Sequence, residues 1–185
     1  MANGTLHKEE FTFQEQMTKT NYQVAKSLNH TFRYIDDITP LNDKGNFEKY
    51  FSQIYPSELE LNRENIGFKS ATVLELDVNV VDNRFQVGVY DKRDSFNFEV
   101  FRYPSFESNI PNRIIYSVFL SQLVRYGRVC NFEEGFVTAT KLLVERLVKK
   151  GAKVKILKAY FSKYFGKYRL TYTTKDACFT KVFNP

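Results

Sequence analysis

Residue types that mark particular classes of protein are scarce in this chain of 185 residues. Its two cysteines, Cys130 and Cys178, lie far apart and form no CxxC spacing, so the sequence predicts neither a zinc site nor a disulfide framework and favours a reducing compartment. Its two histidines, His7 and His30, have neither the spacing of metal ligands nor a nucleophile beside them, which gives a hydrolytic triad no support. Tryptophan is absent.

Long hydrophobic runs are also missing. No apolar stretch approaches the roughly eighteen residues of a membrane-spanning helix. The N-terminus, with Lys8, Glu9 and Glu10, lacks the apolar core of a signal peptide. We therefore expect a protein without a membrane partner, located inside the cell in the cytoplasm or the nucleus. Its hydrophobic content of 43%, with 18 Phe and 12 Tyr, suffices for the core of a globular fold.

Charge is distributed unevenly along the chain, whose net charge is +6. Residues 1–60 carry 6 basic and 9 acidic side chains, and residues 61–111 carry 6 and 8. Residues 112–185 carry 15 basic and 4 acidic side chains, a net charge of +11. Because Lys and Arg bind phosphates, the basic C-terminal part predicts a surface for a polyanion, although lysines that only solvate helix faces would give the same count.

The apolar pattern of the first part predicts antiparallel strands and one short helix. Alternation of apolar and polar residues marks the strands, and an apolar residue every third or fourth position marks the helix. Asp36-Asp37 and Asp82-Asn83 have the composition of hairpin turns. The predicted strands are 31–35, 38–40, 71–81 and 85–89, and the predicted helix is 46–55.

After Pro111 the apolar period changes from that of strands to that of helices. The sequence predicts Asn131 as the N-cap of the second of three helices, with Glu133 and Glu134 in its first turn, and Gly151 as its C-cap. Strands followed by helices predict an α+β fold, in which antiparallel β-hairpins with a short helix precede a basic helical bundle. The predicted helices are 112–130, a second that begins after Asn131 and ends before Gly151, and 153–165.

The segment from Phe32 to Ile38, Phe-Arg-Tyr-Ile-Asp-Asp-Ile, resembles the Tyr-x-Asp-Asp box of reverse transcriptases. Four later segments follow in an order similar to that of reverse-transcriptase-like proteins from animal retroelements, with some likeness to Penelope-type elements. The resemblance covers residues from about 20 to 168. The later segments are 73–76, 89–98, 108–111 and 121–126.

The resemblance implies the end of a polymerase palm followed by a thumb. Residues 1–105 would be a partial palm subdomain with the Tyr-Ile-Asp-Asp hairpin, 106–168 a helical thumb-like subdomain, and 169–185 a C-terminal extension. Two-metal phosphoryl transfer is implied, with Mg²⁺ or Mn²⁺ held by Asp36 and Asp37 as the catalytic carboxylates. The implied partners are an RNA or DNA template–primer, and deoxynucleoside triphosphates if the missing palm half is supplied. The implied nucleic-acid-binding residues are Tyr34, Tyr90, Lys92, Arg93, Phe96, Lys153, Lys155 and Lys158.

This chain departs from the family pattern in ways that bear on activity. The family's palm has another metal-binding aspartate on an earlier strand, and fingers hold the template. The first thirty residues supply neither, so we expect the isolated chain to be inactive. Family members tend to have Asp where this chain has Glu75 and His where it has Asp77, and no role is assigned to either residue.

Simpler interpretations of the same patterns stay open. Adjacent aspartates in a turn are usually only solvated, and residues 90–94 would equally form a surface charge cluster. The aromatic residues of the third helix fit core packing better than base stacking. The function is therefore open between a fragment of an RNA-directed DNA polymerase and a non-enzymatic nucleic-acid-binding or interaction protein derived from a retroelement. Self-association through a truncated sheet edge is a further alternative.

Overall fold

The computed structural model describes residues 2–63, 69–98, 100 and 103–183, which form helices and two antiparallel sheets and confirm the mixed α+β class. The chain divides into an N-terminal unit, Met1–Ile66, and a C-terminal unit, Gly67–Pro185. The helices are α1 Ala2–Thr20, α2 Tyr22–Leu28, α3 Asn46–Ile54, α4 Asn112–Val129, α5 Glu133–Lys149, α6 Val154–Lys167 and α7 Lys175–Phe183, with a 3₁₀-helix at Lys92–Ser95. The strands are β1 Thr31–Tyr34, β2 Asp37–Pro40, β3 Ser70–Val73, β4 Leu76–Val81 and β5 Arg84–Val89.

The N-terminal unit consists of α1, α2, α3 and the β1–β2 hairpin. Helix α3 forms where the apolar spacing predicts it. The Asp43 carboxylate supports its start by accepting hydrogen bonds from the backbone N–H groups of Gly45 at 3.2 Å and Phe47 at 2.8 Å. The buried apolar residues of this unit are Phe13, Val24, Ala25, Leu28, Phe47, Ile54 and Tyr55.

The sheet of the C-terminal unit has the strand order β3-β4-β5. The prediction of one strand over residues 71–81 is wrong, because Leu74 and Glu75 form a turn between β3 and β4. Leu74 has φ +56°, a conformation that glycine or asparagine usually adopts, so this turn has no sequence signal. The turn at Asp82-Asn83 is confirmed, with φ +50° and +58°, as in type I′ hairpins.

The three helices predicted after the sheet are confirmed, and α7 follows them within the predicted C-terminal extension. The predicted C-cap is wrong by one residue, because Lys150 is the C-cap of α5 and Gly151 follows it with φ +97°. The N–H groups of Gly151 and Ala152 donate to the carbonyls of Val148 and Leu147, at 2.9 Å each, which is a Schellman motif. This motif satisfies carbonyls at the end of α5 that would otherwise lack a partner.

The prediction that Asn131 caps α5 is wrong, because Phe132 occupies the N-cap position. Asn131 lies along the outer edge of β5 instead. Its amide nitrogen donates to the Phe85 carbonyl and its amide oxygen accepts from the Val87 N–H, at 2.8 Å each. The side chain thus satisfies backbone groups that an edge strand leaves unpaired.

The boundary between the units falls inside the predicted palm of residues 1–105. The reason is that β5 packs against α4 and α5, which joins the three-stranded sheet to the helices after it. Phe161 and Tyr164 of α6 are buried, which confirms core packing for them. Assignment of palm, thumb and extension stays a prediction. The core of the C-terminal unit includes Tyr103, Ile115, Phe119, Leu123, Phe136, Leu143, Leu147, Leu157, Phe161, Tyr164 and Cys178.

Candidate metal and nucleic-acid sites

Asp36 and Asp37 lie at the tip of the β1–β2 hairpin, and both are exposed. The predicted turn at Asp36-Asp37 is wrong by one residue. Tyr34 pairs with Asp37, so Ile35 and Asp36 form the turn and Asp37 begins β2. Ile35 has φ +55°, which a β-branched residue rarely adopts and which costs on the order of 1–3 kcal/mol. Such a turn persists only where the surrounding structure holds it.

The pairing register divides the hairpin into two faces. Cross-strand partners share a face, so Tyr34 and Asp37 lie on one face with Phe32 and its partner Thr39. Phe32 and Tyr34 are 59% and 60% exposed. Asp37 therefore lies on an exposed face that also carries two aromatic rings, and such rings are suitable for stacking on a base or a sugar.

Arg33 anchors the opposite face of the hairpin to the helices of the N-terminal unit. Its Nε donates to Glu10 Oε1 at 2.6 Å, and the Tyr55 hydroxyl donates to the same oxygen at 2.5 Å. Another guanidinium nitrogen donates to the Ile35 carbonyl in the turn at 3.3 Å. Burial, together with the hydrogen bond to Glu10, raises the pKa of Tyr55 above its ordinary value, so the hydroxyl stays protonated as a donor. This network ties the turn to α1 and to the end of α3.

The two neighbouring carboxylates suit a divalent cation. Any two like charges about 4 Å apart repel by roughly 1 kcal/mol in water and by about 4 kcal/mol at an effective dielectric constant of 20, and carboxylates that come this close gain from a bound cation. Within the described ranges, no group of three or more His, Cys, Asp or Glu side chains is placed to hold a metal ion. Asp36 and Asp37 would supply only two ligands of such a site, whose other ligands would come from water, substrate phosphates or another protein segment.

Residues 90–96, predicted to contact a primer, contain a partly buried ion cluster. Asp91 accepts hydrogen bonds from Arg93 Nε at 2.7 Å and from Arg146 at 2.8 Å. The Arg93 guanidinium also lies over the Tyr103 ring, 5.6 Å from its centroid. Burial acts to raise the pKa of Asp91, but the hydrogen bonds from Arg93 and then Arg146 outweigh it and lower the pKa to about 2. The Arg93 side chain is only 15% exposed.

The other residues of this segment are more accessible. Lys92 and Phe96 are exposed, whereas Tyr90 is half-buried with its hydroxyl 3.0 Å from Ser95 Oγ. Their role in holding a primer stays a prediction. For Arg93 that role would require it to leave the cluster with Asp91.

The three lysines predicted to contact nucleic acid have different surroundings. Lys153 and Lys155 are exposed at the start of α6. The Lys158 ammonium lies 5.5 Å and 5.6 Å from the ring centroids of Phe179 and Phe183, so it covers an aromatic surface of α7.

A groove of about 640 Å³ lies between α4 and α6, and the charged residues that line it are all basic. Arg125 and Arg128 belong to α4, and Lys163 and Lys167 belong to α6. None of the four is among the predicted binding residues. Basic residues one turn apart were the available signal, but no pattern in the sequence places α4 beside α6.

No protein family, curated protein or solved structure matches this chain. None of the helices in the described part of the chain combines the length and the apolar composition that a membrane crossing requires.

Proposed function

We propose that this chain is a fragment of an RNA-directed DNA polymerase that binds nucleic acid and contributes two carboxylates to a two-metal nucleotidyl-transfer site. The observation that carries the proposal is the hairpin tip, where Asp36 in the turn and Asp37 at the start of β2 are both exposed and Arg33 holds the turn in place. A carboxylate pair that served only solubility would need neither a strained residue at Ile35 nor the contact between Arg33 and Glu10.

Asp36 and Asp37 would hold Mg²⁺ or Mn²⁺ through their carboxylate oxygens. The cation supplies activation of a hydroxyl nucleophile and neutralisation of charge on the phosphates. The residues of this chain bind the cation and position the substrate, and Tyr34 orients a primer end or a nucleotide beside Asp37. Two carboxylates alone do not complete a two-metal site, so we expect the isolated chain to bind metal weakly and not to extend a primer.

The basic C-terminal part supports the nucleic-acid half of the proposal. Residues 112–185 have a net charge of +11, which attracts phosphates in a strongly salt-dependent way. Lys92, Lys153 and Lys155 are exposed and available for the backbone of a template–primer, and Phe96 for its sugars or bases. Deoxynucleoside triphosphates would bind once another segment completes the palm.

Terbium luminescence tests the metal half. A Tb³⁺ ion at the hairpin tip would be sensitised by Tyr34, and Mg²⁺ or Mn²⁺ should compete for it. Asp36→Asn and Asp37→Asn should reduce the emission, because each replaces a carboxylate by a neutral amide. Asp82→Asn alters a carboxylate in the turn of the other hairpin and should leave the emission unchanged. Emission that is equal in all variants would remove the assigned metal site.

Fluorescence anisotropy with a labelled template–primer tests the nucleic-acid half. The logarithm of the association constant should fall linearly with the logarithm of salt concentration, by about 0.7–0.9 per phosphate contact. No binding at low salt, or an affinity that does not change with salt concentration, would contradict the proposal. Magnesium-dependent primer extension that survives both Asp36→Asn and Asp37→Asn would show that these aspartates are not the catalytic pair.

A non-enzymatic nucleic-acid-binding or interaction protein derived from a retroelement is the second candidate. It is favoured by the basic groove between α4 and α6, which involves neither aspartate. The two candidates differ in their response to divalent cations. A polymerase fragment should bind template–primer more tightly with Mg²⁺ than with EDTA at matched ionic strength, and this difference should disappear in Asp36→Asn. A binding protein of the second kind should show no such difference.

A further inference from the structure

We propose, building on the nucleic-acid binding argued above, that the groove between α4 and α6 is where the phosphodiester backbone lies. The remaining residues that line the groove include Leu120, Val124 and Val129, which are aliphatic, and the aromatic Tyr168. Among the described residues that line it, none is acidic. An anionic ligand in the groove therefore meets no acidic residue of its lining, although Glu75, which pairs with Arg125, lies beside it.

The basic residues come in pairs on the two walls. Arg125 and Arg128 are three residues apart on α4, and Lys163 and Lys167 are four residues apart on α6. At 1.5 Å per residue, the members of each pair are about 4.5 Å and 6 Å apart along the helix. Phosphates of one strand follow each other at about 3.4 Å along the axis of a duplex, so each pair spans between one and two phosphate steps. Like charges at such spacings repel, and a polyanion in the groove relieves the repulsion on both walls.

Most of this positive charge is not neutralised within the protein. Arg125 donates to Glu75 at 2.5 Å, but that carboxylate is 62% exposed. Arg128, Lys163 and Lys167 form no ion pair with any other described residue. Arg93, by contrast, is held by Asp91. The groove therefore presents cations that are available to a ligand.

The neutral lining favours phosphodiesters over a single small anion. Ser121 lies on the exposed face of α4 and contributes a hydroxyl group to the groove, and hydroxyl groups commonly donate to phosphate oxygens, whereas the hydroxyl of Ser117 donates to the Arg113 carbonyl at 2.9 Å. The apolar part of the lining provides a surface for the sugars between the phosphates. The ligand class that matches cations on two walls, a hydroxyl donor and a partly apolar lining is a nucleic-acid strand.

The double substitution Lys163→Gln with Lys167→Gln tests the groove. The matched control is Lys149→Gln with Lys175→Gln, which removes the same charge from exposed positions outside it. With a labelled 20-nucleotide RNA and its duplex as probes, the groove variant should bind roughly tenfold more weakly, and its salt slope should be shallower by about 1.5. The control should lose affinity only about twofold through the weaker overall field. Arg128→Gln, on the other wall, should lower affinity by roughly threefold.

Each result has a distinct meaning. Equal affinity and slope in the groove variant and its control would overturn the groove assignment while the proposed function stands. A lack of salt-dependent binding by the unaltered chain would overturn both.

Polyglutamate is the second probe, and it should compete less well than the oligonucleotide at equal charge concentration. If it competes equally, and the groove variant loses both ligands, the groove binds an acidic peptide and our assignment is wrong. Circular dichroism melting curves should match for all variants, since the substituted residues are exposed.

Discussion

Replacing Glu10 by glutamine should loosen the hairpin that carries Asp36 and Asp37. Glutamine keeps the size of the side chain and one acceptor oxygen, but it removes the charge that Arg33 and Tyr55 contact at 2.6 Å and 2.5 Å. A hydrogen bond to a charged group contributes about 1.5–3 kcal/mol, and one between neutral groups about 0.5–1.5 kcal/mol. Each of the two bonds becomes weaker by about 1 kcal/mol. After a reduction for the 27% exposure of Glu10, the free energy of opening the hairpin should fall by roughly 1.5–2 kcal/mol.

The loss of stability should be confined to the hairpin, so the assay has to measure the hairpin separately from the rest of the chain. Amide hydrogen exchange measured by mass spectrometry reports the opening of residues 31–40 separately from that of the C-terminal unit. In Glu10→Gln, exchange in the hairpin should be about 10- to 30-fold faster, which corresponds to the free energy above. Tb³⁺ emission should fall as well, because the two aspartates lose their fixed positions. Glu9→Gln, on the exposed neighbour, is the control and should change neither quantity.

Tyr55→Phe completes a double-mutant cycle with Glu10→Gln. The tyrosine change removes one hydrogen bond and leaves the ion pair between Glu10 and Arg33. Because both changes act on one network, the effect of the double variant should be smaller than the sum of the single effects. Hairpin exchange that stays at its original rate in Glu10→Gln would refute the anchoring role, and additive effects would show that the hydrogen bond between Tyr55 and Glu10 contributes nothing to the hairpin.

Two further expectations concern the C-terminal unit. Thr140 is fully buried, and within the described residues its hydroxyl has no hydrogen-bond partner, so Thr140→Val should raise the free energy of unfolding by about 1 kcal/mol. A lower urea midpoint for this variant would show that the hydroxyl is satisfied. Asp91→Asn should lower the free energy of unfolding by about 2–3 kcal/mol, because Arg93 then lacks its counter-charge. The pKa of Asp91 is lowered to about 2, so its stabilisation is complete above the unfolded-state pKa near 4 and is lost as the pH falls towards 2. Melting temperatures between pH 6 and pH 2 should therefore decline less steeply in Asp91→Asn, and parallel curves would contradict the assignment.

Local sequence was sufficient for the elements whose signal is local. The apolar period predicts α3 and the three helices after Pro111, and Asp82-Asn83 and Gly151 supply residues that tolerate positive φ where the chain needs it. The turns at Leu74 and Ile35 were not predicted, because neither position has a residue that tolerates positive φ. Bulky residues stand there at φ +56° and +55°, so packing and hairpin pairing override the local preference.

The candidate sites likewise combine features that the local sequence predicts with features that depend on distant residues. Exposed carboxylates at a hairpin tip follow from the local pattern, but the anchor joins Arg33 to Glu10, 23 residues earlier. Arg146 reaches Asp91 across 55 positions, which turns an apparent surface charge cluster into a partly buried one. The basic groove exists only because α4 and α6 are neighbours in space. Contacts of this range depend on tertiary packing, and neither charge counting nor periodicity contains them.

Asn131 has a consequence for how this protein behaves at high concentration. Its primary amide offers β5 the same donor and acceptor that a peptide bond of a fourth strand would offer. An extended segment from another molecule that approached this border would find the Phe85 and Val87 groups already occupied. Intermolecular strand addition, the first step towards fibrils, is therefore disfavoured at this position by one side chain.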